Sequence, residues 1–219
     1  MTSLNIENNS ENNIVTLREV TIDTTVRESL RTNLLYTEDI KTIAITSSLP
    51  KEGKSVTAYH LALSFAKMGK KTLLIDCDLR KSKLYEYLEI KKEMPGISEY
   101  LSEQNNQIIL ETSIPNLSLI LSGKQPSNPT ELLLSERFSF MLYQLRERYD
   151  YIIIDTPSLA DAIDASIIGR YADGIVLVIR SDYVKRETVE KSKRQLLRNG
   201  GKIVGVVLNR LDKMQADYE

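Results

Sequence analysis

Residues 43–58 read IAITSSLPKEGKSVTA, and the order of apolar and polar residues in this segment indicates the fold class. The apolar run at 43–45 predicts a buried strand. A polar turn follows, and the triplet Gly-Lys-Ser at 53–55 then opens a periodic apolar stretch that predicts a helix over 56–68. The segment is therefore predicted to fold as strand, loop and helix.

The loop matches the phosphate-binding pattern G-x-x-x-x-G-K-[ST], with Ser48 at the first glycine position. Backbone N–H groups at the start of a helix can surround a phosphate, and the helix dipole favours the anion. Lys54 is expected to reach the terminal phosphates of a nucleotide, and Ser55 to bind Mg²⁺. The alternative is a surface turn in which Ser55 caps the helix and Lys54 is solvated. The predicted nucleotide-binding loop comprises Ser48, Leu49, Pro50, Lys51, Glu52, Gly53, Lys54, Ser55 and Val56.

The composition of the whole chain excludes several classes of protein. Its 219 residues suffice for one large domain, and a net charge of −1 gives no reason to expect nucleic-acid binding. With one cysteine, Cys77, and one histidine, His60, neither a disulfide framework nor a His/Cys metal cage is expected. No apolar run approaches a membrane span, and the N-terminus lacks a signal core. We therefore expect a soluble cytoplasmic protein.

Predicted strands and helices alternate along the chain. This order favours an α/β fold with a doubly wound, mostly parallel sheet and helices on both faces. The predicted strands span residues 42–46, 72–76, 117–121, 151–155, 174–179 and 203–208. The predicted helices span residues 26–36, 56–68, 83–88, 129–149, 164–171 and 186–199, with Gly69 and Gly200 as C-caps. Ligands of such sheets bind at the carboxyl ends of the strands.

Acidic residues stand at the ends of two predicted strands. Asp76 ends the strand predicted over 72–76, and Asp78 follows two residues later. Asp155 ends the apolar run YIIID at 151–155, which is a Walker B pattern; the aspartate of this pattern holds the Mg²⁺ shell. Magnesium prefers one or two carboxylates together with waters and phosphates. An alternative role for Asp76 or Asp78 is to take a proton from an attacking hydroxyl. A third possibility is that these aspartates only cap the helices that follow.

In combination, these motifs resemble those of bacterial tyrosine kinases of the capsule and exopolysaccharide systems (BY-kinases), in the superfamily of the MinD and ParA ATPases. The resemblance covers about residues 25–211. It is carried by TSSLPKEGKS at 46–55 (Walker A), LLIDCDLRK at 73–81 (A′), YIIIDTPS at 151–158 (Walker B), GKQPSNPTELLLSERF at 123–138 and GVVLNRL at 205–211.

The resemblance implies an ATP-dependent protein-tyrosine autokinase that regulates capsular or exopolysaccharide synthesis, with ATP and Mg²⁺ as cofactors. Arg80 completes the D-x-D-x-R pattern, and Asn209 resembles a residue near the nucleotide base, so both are expected to bind nucleotide. The implied catalytic residues are Lys54, Asp76, Asp78 and Asp155. The implied metal-binding residues are Ser55, Asp76, Asp78 and Asp155.

The chain departs from these families at three places. Leu49 replaces the signature lysine of the MinD and ParA group, which argues against a dimerising partition ATPase. The kinases' E-x-x-R-x-x-R helix motif is incomplete, because Glu28 and Arg31 are followed by Leu34, so formation of a homo-oligomeric ring is uncertain. The usual C-terminal tyrosine cluster is reduced to Tyr218, the expected site of phosphorylation between molecules.

The resemblance also implies a partner. Since the chain contains no membrane span, a separate transmembrane activator is expected to recruit it to the inner face of the membrane through a cytoplasmic tail. The expected organisation is a flexible arm at 1–20, a P-loop kinase domain at 21–211 and a short tail at 212–219. The alternatives are a MinD-like ATPase switch and a nucleotide-binding regulator of a polysaccharide complex without tyrosine transfer.

Overall fold

The computed structural model describes residues 14–15, 17, 24–90 and 94–210. Eight strands lie within these residues: β1 (Ile14–Val15), β2 (Thr42–Ser47), β3 (Thr72–Asp76), β4 (Leu110–Thr112), β5 (Leu117–Ile120), β6 (Tyr151–Asp155), β7 (Gly174–Arg180) and β8 (Ile203–Asn209). Eight helices accompany them: α1 (Thr24–Leu35), α2 (Lys54–Lys67), α3 (Leu84–Tyr87), α4 (Ile97–Leu101), α5 (Pro129–Leu134), α6 (Glu136–Arg146), α7 (Asp164–Gly169) and α8 (Arg186–Arg198).

The strands form one sheet in the order β1-β4-β5-β3-β6-β2-β7-β8. Only β4 and β5 pair antiparallel among the described strands, and every other neighbouring pair is parallel. The predicted fold class, a doubly wound and mostly parallel sheet, is therefore confirmed. Because parallel strands end at the same edge, the carboxyl ends of β2, β3 and β6 meet there and define one site.

Helices cover both faces of this sheet, which explains the uninterrupted apolar strands. All six residues of β2 are buried. On one face, Ile43 and Ile45 pack with residues of α1, α2 and α3, including Leu34, Phe65 and Leu84. On the other face, Ala44 packs with residues of α4 to α8, including Tyr100, Leu133, Phe138, Ile168 and Leu196. The alternation of side chains along one strand thus fills two cores.

The predicted helix over 129–149 is wrong as a single element, because it is divided into α5 and α6. Ser135 between them has an extended backbone (φ −68°, ψ 150°), and its Oγ accepts a hydrogen bond from Phe138 N–H. Serine is a preferred N-cap residue, so it starts a new helix at this point. The predicted C-caps are confirmed, since Gly69 and Gly200 have φ of 78° and 82°.

The ends of the chain are described only in part. Most of the arm predicted over 1–20 lies outside the described residues, and within it Ile14 and Val15 pair with β4. Leu17 N–H donates to Ser113 Oγ at 3.1 Å, and its side chain is buried. The predicted tail at 212–219, with Tyr218, lies outside the described residues. No helix in the described part of the chain has the length and apolarity needed to cross a membrane.

Candidate functional site

The P-loop joins the carboxyl end of β2 to the start of α2, as the sequence predicted. Gly53, which precedes the helix, has φ of 99°, a conformation that favours glycine. A Cβ atom at this position would lie 2.1 Å from Asn209 Nδ2. The same amide nitrogen donates a hydrogen bond of 2.8 Å to the carbonyl of Glu52. The end of β8 therefore holds the loop in shape, and the absence of a side chain at Gly53 makes this contact possible.

Glu52 braces the loop from inside, a role that the sequence motif did not indicate. Its side chain is fully buried. Oε2 accepts a hydrogen bond of 2.6 Å from Leu49 N–H, and Oε1 accepts one of 3.2 Å from Arg180 N–H at the end of β7. These charge-assisted bonds tie the loop to the sheet, so Glu52 stabilises the loop through its side chain.

A cavity of about 400 Å³ opens above the loop. Its lining includes six of the predicted loop residues: Pro50, Lys51, Gly53, Lys54, Ser55 and Val56. The remaining lining comes from the segment after β3, from α3 and from the segment after β6: Asp78, Lys81, Lys83, Tyr87 and Asp161. Ser48, Leu49 and Glu52 lie behind this wall, and the buried Ser48 hydroxyl has no hydrogen-bond partner.

Two aspartates lie side by side under the cavity. Asp76 and Asp155 are register partners on β3 and β6, and both side chains are buried. Asp76 accepts hydrogen bonds from Asp78 N–H at 3.1 Å and from the Ser82 hydroxyl. Neither carboxylate oxygen of Asp155 makes a hydrogen bond of regular geometry, although the Ser55 hydroxyl and the Thr156 N–H lie close enough to lower the pKa of this carboxyl. Since buried carboxylates are normally paired, Asp155 has two free acceptors for a ligand.

Burial and the charges of neighbouring carboxylates raise the pKa values of both aspartates. Burial, reinforced by the neighbouring Asp155 carboxylate, raises the pKa of Asp76 to about 8. Burial also raises the pKa of Asp155 to about 6, although the positive charge of Lys54 and the Ser55 hydroxyl oppose this shift. The site therefore favours a cation close to Asp155.

Lys54 and Asp78 meet at the wall of the cavity. Lys54 Nζ lies 3.8 Å from Asp78 Oδ2, and both side chains are largely buried. The other oxygen, Asp78 Oδ1, accepts hydrogen bonds from Arg80 N–H at 3.3 Å and from Lys81 N–H at 2.9 Å. This local turn fixes the carboxylate and leaves Oδ2 directed towards the lysine.

Arg80 lies on a neighbouring wall and binds a carboxylate of its own. Its Nε donates to Asp164 Oδ2 at 2.8 Å, and its Nη2 donates to Asp164 Oδ1 at 3.4 Å and to Thr130 Oγ1 at 2.8 Å. Asp164 is fully buried. The resemblance implied that Arg80 binds nucleotide, whereas the structure directs its guanidinium to α5 and α7. Arg80 thereby anchors the turn that holds Asp78.

For the ATP-dependent reaction that the resemblance implies, this geometry predicts that Arg80→Ala lowers kcat by about tenfold to a hundredfold, because small displacements of a reacting group are costly. The KM for ATP is expected to stay within about twofold of the wild-type value. Arg80→Lys, which retains the charge but not the two-pronged contact, should give an intermediate kcat. Removing the arginine also leaves a buried unpaired charge on Asp164, so thermal unfolding must be measured beside the kinetics. A large rise in the KM for ATP with unchanged kcat would instead place Arg80 on the nucleotide.

The residues present fit a nucleotide-bound magnesium ion. No group of three or more His, Cys, Asp or Glu side chains in the described part of the chain is placed to hold a metal by itself. Magnesium in phosphate sites needs only one or two carboxylates besides phosphate oxygens and water. The unpartnered oxygens of Asp155 and the nearby Ser55 hydroxyl provide such ligands. Both carboxylate oxygens of Asp76, by contrast, already accept hydrogen bonds within the chain.

The incomplete helix motif lies on α1. Arg31 Nη1 donates to Ser64 Oγ on α2 at 3.0 Å, and its buried Nε has no hydrogen-bond partner. Leu34, at the third position of the motif, is buried against the core. Glu28 is exposed. The arginine therefore packs within the chain, and the aliphatic third residue contributes to the fold.

Comparison with known proteins places these features in a family. The model of the AAA domain family matches residues 40–198. The chain is 42% identical over 193 residues to the tyrosine-protein kinase CpsD of Streptococcus agalactiae, a match that covers 87% of this chain and 84% of the relative.

Two solved structures show the same fold. The chimerical protein CapA2B2 superposes with a TM-score of 0.83 at 30% identity, covering 91% of this chain and 94% of that one. The cell division ATPase MinD of Pyrococcus furiosus gives a TM-score of 0.67 at 22% identity, covering 79% and 73% of the two chains. The second likeness concerns the fold alone.

Proposed function

Since the chain belongs to the family of CpsD-type tyrosine-protein kinases, we propose that it transfers the γ-phosphoryl group of ATP to tyrosine in the cavity between the P-loop and Asp78. The observation that carries this placement is the approach of Lys54 Nζ to within 3.8 Å of Asp78 Oδ2 at the wall of that cavity. The ammonium group of Lys54 can therefore bind the ATP phosphates while the neighbouring carboxylate of Asp78 accepts the proton of the tyrosine hydroxyl, which are two functions needed for phosphoryl transfer to a hydroxyl.

In the proposed reaction, the phenolic oxygen of the acceptor tyrosine forms a bond to the γ-phosphorus. The bond from that phosphorus to the β–γ bridging oxygen breaks, and ADP leaves with the electron pair. Asp78 accepts the phenolic proton, since its carboxylate lines the cavity whereas Asp76 is buried and hydrogen-bonded. Lys54 and the N–H groups at the start of α2 stabilise negative charge on the terminal phosphates.

Ser55 and Asp155 are proposed to hold Mg²⁺, with Asp78 close to the same edge. When bound, the ion would neutralise charge on the phosphates. The support for this assignment is the pair of buried, unpartnered carboxylate oxygens on Asp155. Because such oxygens are unfavourable without a ligand, they are better explained by a cation site than by the fold.

The acceptor is proposed to be Tyr218 of a second molecule. The test mixes an inactive Lys54→Met chain that retains Tyr218 with an active chain carrying Tyr218→Phe, together with MgATP. We expect mass spectrometry to find phosphate on Tyr218 of the inactive chain. Tyr36 and Tyr143 are the natural rivals, because they are 85% and 65% exposed. Phosphate on either of these, with none on Tyr218, would reject the assignment.

Activity is also proposed to depend on a transmembrane activator that recruits the chain to the membrane, and on self-association. Support for both comes from the family resemblance. The contact of Arg31 with Ser64 makes that arginine a weak candidate for an interface, whereas Glu28 on the same helix is exposed. Sedimentation of the chain with and without the activator's cytoplasmic tail tests both points. A monomer with unchanged activity in the presence of the tail would reject them.

A further inference from the structure

We propose that a groove made of the P-loop cavity and a second cavity next to it selects acceptor tyrosines with acidic neighbours, and that its lysines Lys81 and Lys83 bind the neighbouring carboxylates. We call the P-loop cavity and the second cavity next to it the acceptor groove. The inference rests on the proposed function and specifies the class of peptide that the site accepts.

The second cavity has a volume of about 290 Å³. It is lined by residues 78–83 together with Tyr85, Ser122, Gly123 and Gln125. Three of these lining residues, Asp78, Lys81 and Lys83, also line the P-loop cavity. The two spaces therefore adjoin along the same turn, and an extended peptide can place its tyrosine beside Asp78 and a neighbouring residue in the second cavity.

The far wall of the groove is already fixed. Glu99 accepts hydrogen bonds from Lys124 N–H at 2.9 Å and from Gly96 N–H at 2.8 Å, and Ser98 N–H donates to the Ser122 carbonyl at 3.1 Å. A Cβ atom on Gly123 would clash with the Glu99 carboxylate at 1.9 Å. Because the segment that contains Ser122 and Gly123 is held by these bonds, little conformational entropy is lost when a peptide docks against it.

The charged side chains of the second cavity that can bind a peptide are positive. Asp78 is occupied by backbone N–H groups and by Lys54, and the guanidinium of Arg80 is bound to Asp164. This leaves the ammonium groups of Lys81 and Lys83, whose side chains are 75% and 65% exposed.

Each lysine has an acidic partner within the chain. Lys81 Nζ lies 3.8 Å from Asp161 Oδ1, and Lys83 Nζ lies 2.8 Å from Glu86 Oε1. Exposed ion pairs of this kind contribute little to stability and can be exchanged for others. The carboxylates of a docked peptide can therefore replace these partners at small cost.

The occupant to which the charges point is the segment 212–219 of a second copy. In this segment Asp217 and Glu219 flank Tyr218 directly, while Asp212 and Lys213 stand at its start. Consecutive residues of an extended chain are about 3.3–3.6 Å apart, so the residues next to the tyrosine lie within reach of lysines on the same turn as Asp78. Opposite charge on groove and peptide favours binding of this segment over neutral or basic ones.

The experiment compares three peptides as acceptors for the full chain carrying Tyr218→Phe. The first has the sequence of residues 211–219, the second carries Asp217→Asn and Glu219→Gln, and the third carries Asp217→Lys and Glu219→Lys. Each is tested with the unchanged groove, with Lys81→Glu/Lys83→Glu, and with the control Lys70→Glu/Lys202→Glu, whose lysines are exposed elsewhere. KM is measured for peptide and for ATP, and peptide binding is measured by fluorescence anisotropy.

With the unchanged groove, we expect the KM for the acidic peptide to be about tenfold lower than the KM for the neutral peptide. One or two charge-assisted contacts would give a difference of this size. The reversed groove should prefer the lysine peptide, while the control pair should keep the preference of the unchanged groove. Because Lys81 and Lys83 also line the P-loop cavity, the change of peptide preference, and not the absolute rate, is the measured result. Equal KM values for all three peptides, or a rise in the KM for ATP alone, would overturn the inference and leave the kinase activity intact. Absence of phosphotyrosine on every peptide would overturn the proposed function, and the inference with it.

Discussion

Lys54→Met is expected to reduce phosphotyrosine formation by about a hundredfold or more and to weaken ATP binding by roughly ten- to a hundredfold. A charge-assisted hydrogen bond contributes about 1.5–3 kcal/mol, which sets the loss of affinity. The larger loss of rate follows because preorganised charge acts most strongly on the transition state. The side chain is well placed for both effects, being largely buried and 3.8 Å from Asp78 at the cavity wall.

Calorimetric titration with ATP and a phosphotyrosine assay separate these two effects. Lys202→Met removes a lysine that is exposed at the other end of the sheet and should change neither value. Because Lys54→Met leaves the largely buried carboxylate of Asp78 without its cation, thermal unfolding is measured as well, and both assays are made at a temperature at which the variant stays folded. Wild-type affinity and rate in the Lys54 variant would contradict the P-loop assignment.

Asp155→Asn is expected to have opposite effects on stability and on activity. In the metal-free chain, burial raises the pKa of this carboxyl from 3.8 to about 6, although Lys54, the Ser55 hydroxyl and the Thr156 N–H oppose the shift. A neutral isostere removes this cost, so the free energy of unfolding at pH 7.5 should rise by about 2–3 kcal/mol. Phosphotyrosine formation should fall by about a hundredfold, because a carboxylate proposed to hold Mg²⁺ is lost.

The sign of the pH dependence follows from the raised pKa of Asp155. The carboxyl of Asp155 binds its proton more tightly in the folded chain than in the unfolded chain, so the contribution of this group to stability falls as the pH rises from about 4 to about 6. The advantage of Asp155→Asn should therefore be complete above pH 6 and vanish near pH 4. Urea unfolding without Mg²⁺ at several pH values measures the difference in unfolding free energy between the variant and the wild type. Glu147→Gln, which changes an exposed carboxylate, is the control. A destabilised Asn variant at pH 7.5, or one with full activity, would contradict the assignment.

Much of the fold was predictable from the sequence. The six predicted strands are all present and differ from the observed ones by at most one residue at an end, because each contains a continuous apolar run. This holds even for the edge strand β8, in which Val206 and Leu208 are exposed. The short elements α4 and β4 were not predicted, since they have too few residues to show a period. The break at Ser135 was missed because apolar residues continue through it, although a serine before Glu136 is a recognisable N-cap signal.

The site was predictable where it depends on local motifs. The ends of neighbouring parallel strands converge, and this brings together the predicted residues Lys54, Ser55, Asp76, Asp78 and Asp155. The supporting contacts were not predictable, since they join distant parts of the chain. Arg80 binds Asp164 and Thr130, and Asn209 supports the loop at Glu52. Such pairings depend on helix placement, which no local pattern specifies.

The destination of the γ-phosphoryl group tests the central claim most directly. The full chain is incubated with Mg²⁺ and radiolabelled ATP, with and without the activator's cytoplasmic tail. Label in phosphotyrosine and in inorganic phosphate is then counted for the wild type and for Lys54→Met. Transfer to tyrosine predicts label in phosphotyrosine that depends on Lys54 and exceeds the label released to water. Release of inorganic phosphate without phosphotyrosine under both conditions would contradict the account and identify an ATPase switch instead.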